Sequence, residues 1–399
     1  MFRPVRGPEE REKPTVGVYF HVPFCERVCP YCDFPVVAAR SLSRADEERY
    51  VAALCAELGA RREAFAGREL ATIYLGGGTP SLLQTGSIAR LVEAARAAFS
   101  GEPEEITLEA NPSTTELGHL AGFLTAGVNR LSVGVQSFDD ATLRRLGRAH
   151  RAADAHAFLD AAHAAGFANL SLDLIFGAPG QSLSGVERDV SAAQGHAPQH
   201  VSAYALTLEA GTPFARAVAA DKLVVPSDDD AADMLLTLAC ALEAAGFSRY
   251  EVSSWARPGR AAAHNRRYWQ RRPVLGLGLG AHSLEPPRAG EPFGARSANE
   301  RALPAYLARI AAGRWAPPER DVLAEPTARS EAVFLALRTR EGLEASRFSA
   351  EFGAPPRAFF AGAIDGAIAA GHLSESSAGD LALSEAGWLF ADDVAARFA

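Results

Sequence analysis

Six short strand-like runs alternate with helical patterns through the first half of the chain, and that rhythm restricts the fold more than any other feature. The runs are Val16–Phe20, Leu70–Leu75, Ile106–Glu109, Arg130–Val135, Ser171–Phe176 and Val201–Leu206. Helical periodicity fills the gaps near Ser43–Ala66, Ile88–Phe99, Thr115–Ala126, Ala152–Ala165 and Leu183–Ala193. Strands separated by helices of this length do not pair as hairpins; they form a parallel sheet with right-handed crossovers. Eight such units close a barrel. Six predict an α/β protein with an open, partial (β/α)6 barrel at residues 16–225, behind an N-terminal tail at 1–15.

The C-terminal strand ends of such a barrel share one rim, where side chains distant in sequence converge. The first strand leads into Cys25, Cys29 and Cys32, the second into Gly76-Gly77-Gly78-Thr79-Pro80, and the third into Glu109-Ala110-Asn111-Pro112. The fourth runs into Gly134-Val135-Gln136-Ser137, and the fifth carries Asp173 ahead of Gly177-Ala178-Pro179-Gly180. Without Cβ atoms, the glycine run lets backbone approach a ligand closely. A valine at Gly78 is therefore expected to expel that ligand and leave the cysteines undisturbed. As local chemistry the same run also makes a good turn.

The cysteines stand in a Cys-x3-Cys-x2-Cys pattern, with Pro23 and Pro30 keeping the backbone out of a helix. Three thiolates on one tight loop can hold an iron–sulfur cluster and leave one iron without a protein ligand. Two rivals are unrelated buried thiols and a Cys3His zinc knuckle completed by His21. His21 lies in an apolar run and is expected to face the barrel or core. Cys55 and Cys240 fall in alanine-rich helical segments and read as core. Five cysteines, three of them clustered, suit a reducing cytoplasm rather than a disulfide scaffold. Met1–Pro14 has no apolar stretch of the kind that targets secretion, and no apolar run is long enough to span a bilayer.

The flanks Tyr19-x-His21-x-Pro23-Phe24-Cys25 and Tyr31-Cys32-Asp33-Phe34 resemble the radical S-adenosylmethionine (SAM) signature. Within that superfamily they are similar to the coproporphyrinogen III oxidase-like group and its heme chaperone branch, HemW. The resemblance implies a radical SAM barrel with a 4Fe-4S cluster on Cys25, Cys29 and Cys32. It implies SAM contacts from Gly77, Gly78, Thr79, Glu109, Gln136, Arg148 and Asp173, with Tyr19 and Tyr31 beside the cluster. On composition alone Arg148, in the helix-flanking Leu146-Gly147-Arg148-Ala149-His150, reads as an exposed arginine.

Beyond the barrel come a helix at Asp228–Ala245, a strand-like Tyr250–Ser253 and then His264-Asn265-Arg266-Arg267-Tyr268-Trp269. This last stretch resembles the His-Asn-x-x-Tyr-Trp motif of the heme chaperone branch, which makes His264 the candidate heme ligand. From chemistry alone, the imidazole and aromatic rings equally suit a packed turn. Gly276-x-Gly278-x-Gly280-Ala281-His282 reads as a flexible strand or loop, with His282 a second candidate ligand, and helix is expected from about Asn299. Residues 226–320 are assigned to an extension of the barrel. Residues 321–399, with helical runs at Arg329–Leu337 and Arg357–Ala370 and Leu381–Ser384 before a last helix, form a small winged-helix-like unit. Winged helices often bind nucleic acid, but a net charge of −8 argues against that here.

Two functions from different classes fit these motifs. One is a heme chaperone that passes heme to respiratory hemoproteins, with a heme donor protein, a peripheral membrane contact and homodimerisation all compatible with that role. The other is oxygen-independent coproporphyrinogen III dehydrogenase; a radical SAM methyltransferase of similar architecture shares the core motifs too. The dehydrogenases carry a fourth cysteine two residues past the third, where this chain has Phe34. That difference, the short lead into the first strand and the His-Asn-x-x-Tyr-Trp segment all favour the chaperone.

Overall fold

A computed structural model describes residues 13–39, 42–112 and 117–398. Most of the expected tail and the expected start of a helix at Thr115 lie outside them. The expected strands are all present: β1 (Thr15–Val22), then β4 (Glu69–Gly77), β5 (Glu105–Ala110), β6 (Arg130–Gln136), β7 (Leu170–Phe176) and β8 (His200–Ala205). Between β1 and β4, the short β2 (Phe24–Cys25) and β3 (Val37–Ala38) pair beside the cysteines. β1 and β4–β8 are parallel and adjacent in chain order, as βαβ crossovers dictate.

Residues 226–320 contribute more strand than their sequence suggests. β9 (Ser248–Glu251) and β10 (Ser254–Ala256) make a hairpin that extends the β8 edge antiparallel. In the glycine-rich stretch Gly276 lies in a strand, and Gly278–Ala281 turn out of it. β11 (Val274–Leu277) pairs parallel with the free side of β1, and β12 (His282–Glu285), β13 (Ala295–Ala298) and β14 (Glu319–Val322) follow antiparallel. The result is a single 12-stranded sheet whose ends do not meet. Glycines obscured β11 because they carry no β-propensity of their own. Here they admit a buried network: Glu57 accepts from Gly278 N–H at 3.0 Å, from the Tyr306 hydroxyl at 2.9 Å and from Arg61 at 3.0 Å.

Alternation along each strand separates two environments. On β1, Val16, Val18, Phe20 and Val22 are fully buried against the outer helices, together with Leu54, Leu58, Ile88 and Leu91. The residues between them, Gly17, Tyr19 and His21, face inward. The inner wall is therefore polar, an unusual arrangement that only hydrogen bonding can sustain. Ser43 caps the first long helix by accepting from Asp46 N–H, which is why that helix starts at Arg44, next to the expected Ser43.

The C-terminal unit has its own core of Leu337, Phe348, Ile364, Leu381 and Phe398. Helices Glu325–Leu337, Ala345–Phe352 and Pro356–Ala369 precede a hairpin of β15 (Leu373–Glu375) and β16 (Leu381–Leu383), and Leu343 bridges to Leu381. That order matches the winged-helix expectation. No helix among the described residues is long and apolar enough to cross a membrane. Cys240 departs from expectation, for it is exposed on its helix, and Cys55 is half-buried.

Candidate functional site

The cysteine loop is clamped by backbone. Val37 N–H donates to Pro23 O at 2.7 Å, Ala39 N–H to Cys25 O at 2.8 Å and Cys32 N–H to Cys29 O at 3.0 Å. All three thiols are half-buried and none is in a disulfide. Burial pushes the Cys25 thiol up to about 11 and raises Cys32 as well. Thiols so placed call for a cationic group to stabilise their charged form.

Four hydrogen bonds join two of the sulfurs in a chain. Thr79 Oγ1 donates to Cys25 Sγ at 3.8 Å and accepts from Asn111 Nδ2 at 2.6 Å. Asn111 Oδ1 accepts from Arg148 Nη2 at 2.5 Å, and Arg148 Nη1 donates to Cys29 Sγ at 3.6 Å. Arg148 also donates to Gly134 O at 2.8 Å. It is thus anchored at the rim and is not the exposed arginine its flanking sequence suggests. Tyr31 packs on Phe214 next to Leu206 and Leu223, and burial together with Cys29 raises its hydroxyl far above the ordinary value. Asn111 is the residue that sequence reasoning left out. Its only signal was its place at a strand end before Pro112.

The three glycines are spaced by protein, not only by a ligand. A Cβ at Gly76 would lie 2.9 Å from Glu109 Oε1, and one at Gly77, where φ is +114°, would lie 2.5 Å from the His21 ring. A Cβ at Gly78 would lie 2.7 Å from Phe24 O and 2.9 Å from Cys25 Sγ. The expectation that a valine at 78 spares the cysteine loop is therefore overturned: it would press on Cys25 itself.

Glu109 uses both oxygens. Oε1 accepts from the Tyr74 hydroxyl at 2.7 Å and Oε2 from Gly77 N–H at 2.9 Å, while burial holds its carboxyl up to about 7. Asp173, on the same inner wall, is raised to about 6 by burial and accepts from Ser132 Oγ at 3.3 Å. Gln136 ends β6 with φ at +67°, a conformation costly for a residue with a Cβ, directly beside Gly134 and Arg148. The rim thus brings together Cys25, Cys29, Cys32, Tyr31, Gly77, Gly78, Thr79, Glu109, Gln136 and Arg148, with Asp173 on the adjoining wall. Tyr19 stands one layer below, its hydroxyl hydrogen-bonded to His21 Nδ1 at 3.1 Å.

His21 is not a fourth metal ligand, since its Nε2 is turned to Pro35 O at 3.1 Å. Among the described residues, no group of three or more His, Cys, Asp or Glu side chains is arranged to hold a single metal ion. Both facts count against the zinc knuckle. Ligands of a polynuclear cluster go to different irons and stand further apart, so the three thiols with their Thr79 and Arg148 donors fit a cluster better than a lone ion.

His264 lies away from this rim. It is fully buried (0% exposed), and its ring nitrogens meet Thr72 Oγ1 at 2.8 Å and the Tyr268 hydroxyl at 3.1 Å. Burial lowers its imidazole to about 3. A heme iron would have to displace one of those partners from the protein interior, so the expected role as heme ligand does not match its position. His282 is exposed at the start of β12, just after the Gly278–Ala281 turn, in which Gly280 packs against Pro35. A cavity of about 450 Å³ between the Ala263–Trp269 helix and the C-terminal unit is lined by Trp269, Phe293, Phe348, Arg266 and Arg347. No histidine, cysteine or methionine lines it.

Comparison with known proteins completes the site. Residues 19–193 match the radical SAM superfamily model, and residues 323–390 the HemN C-terminal domain. The heme chaperone HemW of Mycobacterium tuberculosis is 38% identical over 84% of both chains. The heme chaperone HemW of Bacillus subtilis is 33% identical over 96% of this chain and 98% of its own. The solved coproporphyrinogen III oxidase HemN of Escherichia coli, a radical SAM enzyme, superposes with a TM-score of 0.81. It covers 97% of this chain and 90% of its own at 24% identity, a likeness of fold.

Proposed function

The chain belongs to the HemW family of the radical SAM superfamily, and on that premise we propose that it is a heme chaperone that holds a 4Fe-4S cluster and SAM at the barrel rim and passes heme to respiratory hemoproteins. Cys25, Cys29 and Cys32 would hold the cluster, whose open iron supplies a binding position for SAM. Gly77, Gly78, Thr79, Gln136 and Asp173 line the space beside it, and Glu109 offers a carboxylate to a cationic ligand. Arg148 and Thr79 hydrogen-bond the sulfurs and fix the loop that carries them. The division into a barrel (16–225), an extension (226–320) and a C-terminal unit (321–399) is part of the same reading.

The observation that carries the chaperone over the dehydrogenase is Phe34. It stands where the dehydrogenases have a fourth cysteine, and it is 67% exposed. An exposed aromatic at the rim adds apolar surface suited to a flat macrocycle rather than a thiol beside the cluster. Arg301 Nη2 donates to Asp33 O at 2.5 Å next to it. His282 borders the turn packed on Pro35 and replaces His264 as the proposed heme ligand. Anaerobic reconstitution tests this on one sample. A Soret band on heme addition that weakens in His282→Ala, with no protoporphyrinogen formed from coproporphyrinogen, SAM and reductant, supports the reading. Sustained decarboxylation overturns it.

A further inference from the structure

The His264–Trp269 segment is the one motif that the proposed cofactor site leaves without a task. It forms a helix, Ala263–Trp269, at the barrel end opposite the cysteines. Glu105, the first residue of β5, accepts from Ala263 N–H at 2.9 Å and His264 N–H at 3.0 Å. Arg267 donates to Thr15 Oγ1, at the first residue of β1, at 3.1 Å. Both anchors sit at N-terminal strand ends, so the helix is the floor of the barrel.

Two chains of contact run upward from the His264 ring. Its centroid is 5.1 Å from that of Tyr74, whose hydroxyl donates to Glu109 Oε1, and the other Glu109 oxygen holds Gly77 N–H. It is 6.4 Å from the centroid of Tyr19, whose hydroxyl meets His21, and His21 in turn meets Pro35 O just past Cys32. Thr72, Tyr74 and Gly76 alternate on one inner face of β4, as Gly17, Tyr19 and His21 do on β1. Each chain therefore passes along rigid strand rather than loop.

We propose that His264 is a positioning residue for the rim: clamped by Thr72 and Tyr268, it sets the rings of Tyr74 and Tyr19, and through them the Glu109–Gly77 contact and the seat of the cysteine loop. The assignment rests on the reading of the rim as a SAM site. It explains why an imidazole is needed at the floor. A neutral ring with one donor and one acceptor nitrogen pairs with both hydroxyls at once, while it packs tilted by 35° against both Tyr74 and Tyr19. The low affinity of this buried ring for a proton keeps it neutral.

The test uses the full chain with its cluster reconstituted. SAM affinity is measured by calorimetry from pH 6 to 9 in wild type, His264→Phe, Tyr74→Phe and Thr72→Val, with heme titration and thermal unfolding on the same samples. Tyr74→Phe removes a hydrogen bond that favours the Glu109 carboxylate, so the pH midpoint of SAM binding moves upward and affinity falls about tenfold. His264→Phe moves the midpoint in the same direction without touching Glu109, and leaves heme affinity unchanged. Should His264→Phe fail to fold, Thr72→Val, which frees one side of the imidazole, gives a smaller shift of the same sign. An unchanged midpoint in folded His264→Phe, or in Thr72→Val where His264→Phe does not fold, overturns the inference. So does loss of the Soret band with SAM binding intact, which would return His264 to iron. A wild type that binds no SAM would instead refute the reading of the rim.

Discussion

The rim and the floor of this barrel are built from the same strands, yet they differ in how their polar groups are satisfied. At the floor Glu105 and His264 find their partners within the fold, although Arg267 Nε and Trp269 Nε1 are buried without one. Glu105 caps a helix, His264 joins two hydroxyls, and His200 is fully buried between Ser171 Oγ and the Tyr250 hydroxyl, each at 2.8 Å. At the rim the thiols are raised, two carboxyls keep their protons unusually long, and Gln136 holds a strained backbone. Raised carboxyls and a strained backbone are features that functional sites hold, whereas the floor histidines are paired within the fold.

The largest effect expected at the rim is that of Gly78→Val, because its side chain would meet Phe24 O and Cys25 Sγ. Iron and sulfide in the reconstituted protein should fall about tenfold or more relative to wild type, with SAM binding lost as well. Full iron loading would show that the rim tolerates side-chain bulk. The matching cut at the floor is Glu105→Ala, which strands the buried His264 N–H and the part-buried Ala263 N–H, at about 1–3 kcal/mol for the buried group. Its melting temperature should drop by several degrees while iron per chain stays at the wild-type value. An iron loss comparable to that of Gly78→Val would erase the distinction between the two ends.

Glu109→Gln sharpens the comparison through pH. Native Glu109 keeps its proton to about 7, whereas an unfolded glutamate loses it near 4.5. Between these values the native state binds more protons, so this residue's contribution to stability falls as pH rises. Melting temperatures from pH 5 to 8 should therefore decline less steeply in Glu109→Gln than in wild type. SAM affinity, which gains from the carboxylate, should weaken most above pH 7. Parallel melting curves would mean that the carboxyl is not held up in the folded chain.

A smaller change is expected from Arg148→Met. Removing a cation and a donor from Cys29 Sγ disfavours the reduced cluster, so its midpoint potential should become more negative by tens of millivolts, read by potentiometry. A shift to more positive values would place the guanidinium elsewhere. The least effect belongs to Cys240→Ser, on an exposed helix face, where iron content and melting temperature should match wild type.

The strands, the first long helix, the cysteine loop and the order in which five strand ends follow one another were all legible in the sequence, because each is written in neighbouring residues. Strand alternation marks itself with a period of two, and a cluster loop confines its ligands to a few positions. What was misread lay across long sequence separations. β11 read as strand or loop because its partner, β1, stands more than two hundred residues earlier. Asn111 looked ordinary, and the flanks of Arg148 read as exposed, until tertiary packing joined the two between a pair of sulfurs. Gly78 looked like space for a ligand, and is first of all space for Cys25.

By itself, then, the sequence determined which strand ends share one end of a parallel sheet and that the three cysteines stand there. Only the tertiary structure decided that His264, with motif neighbours as suggestive as those of the cysteines, belongs at the opposite end. The physical reason is that chain order sets which strand ends converge, whereas the seat of a helix is set by what satisfies its buried groups. For His264 those partners are Glu105, Thr72, Tyr74 and Tyr19, residues that no local pattern connects to it.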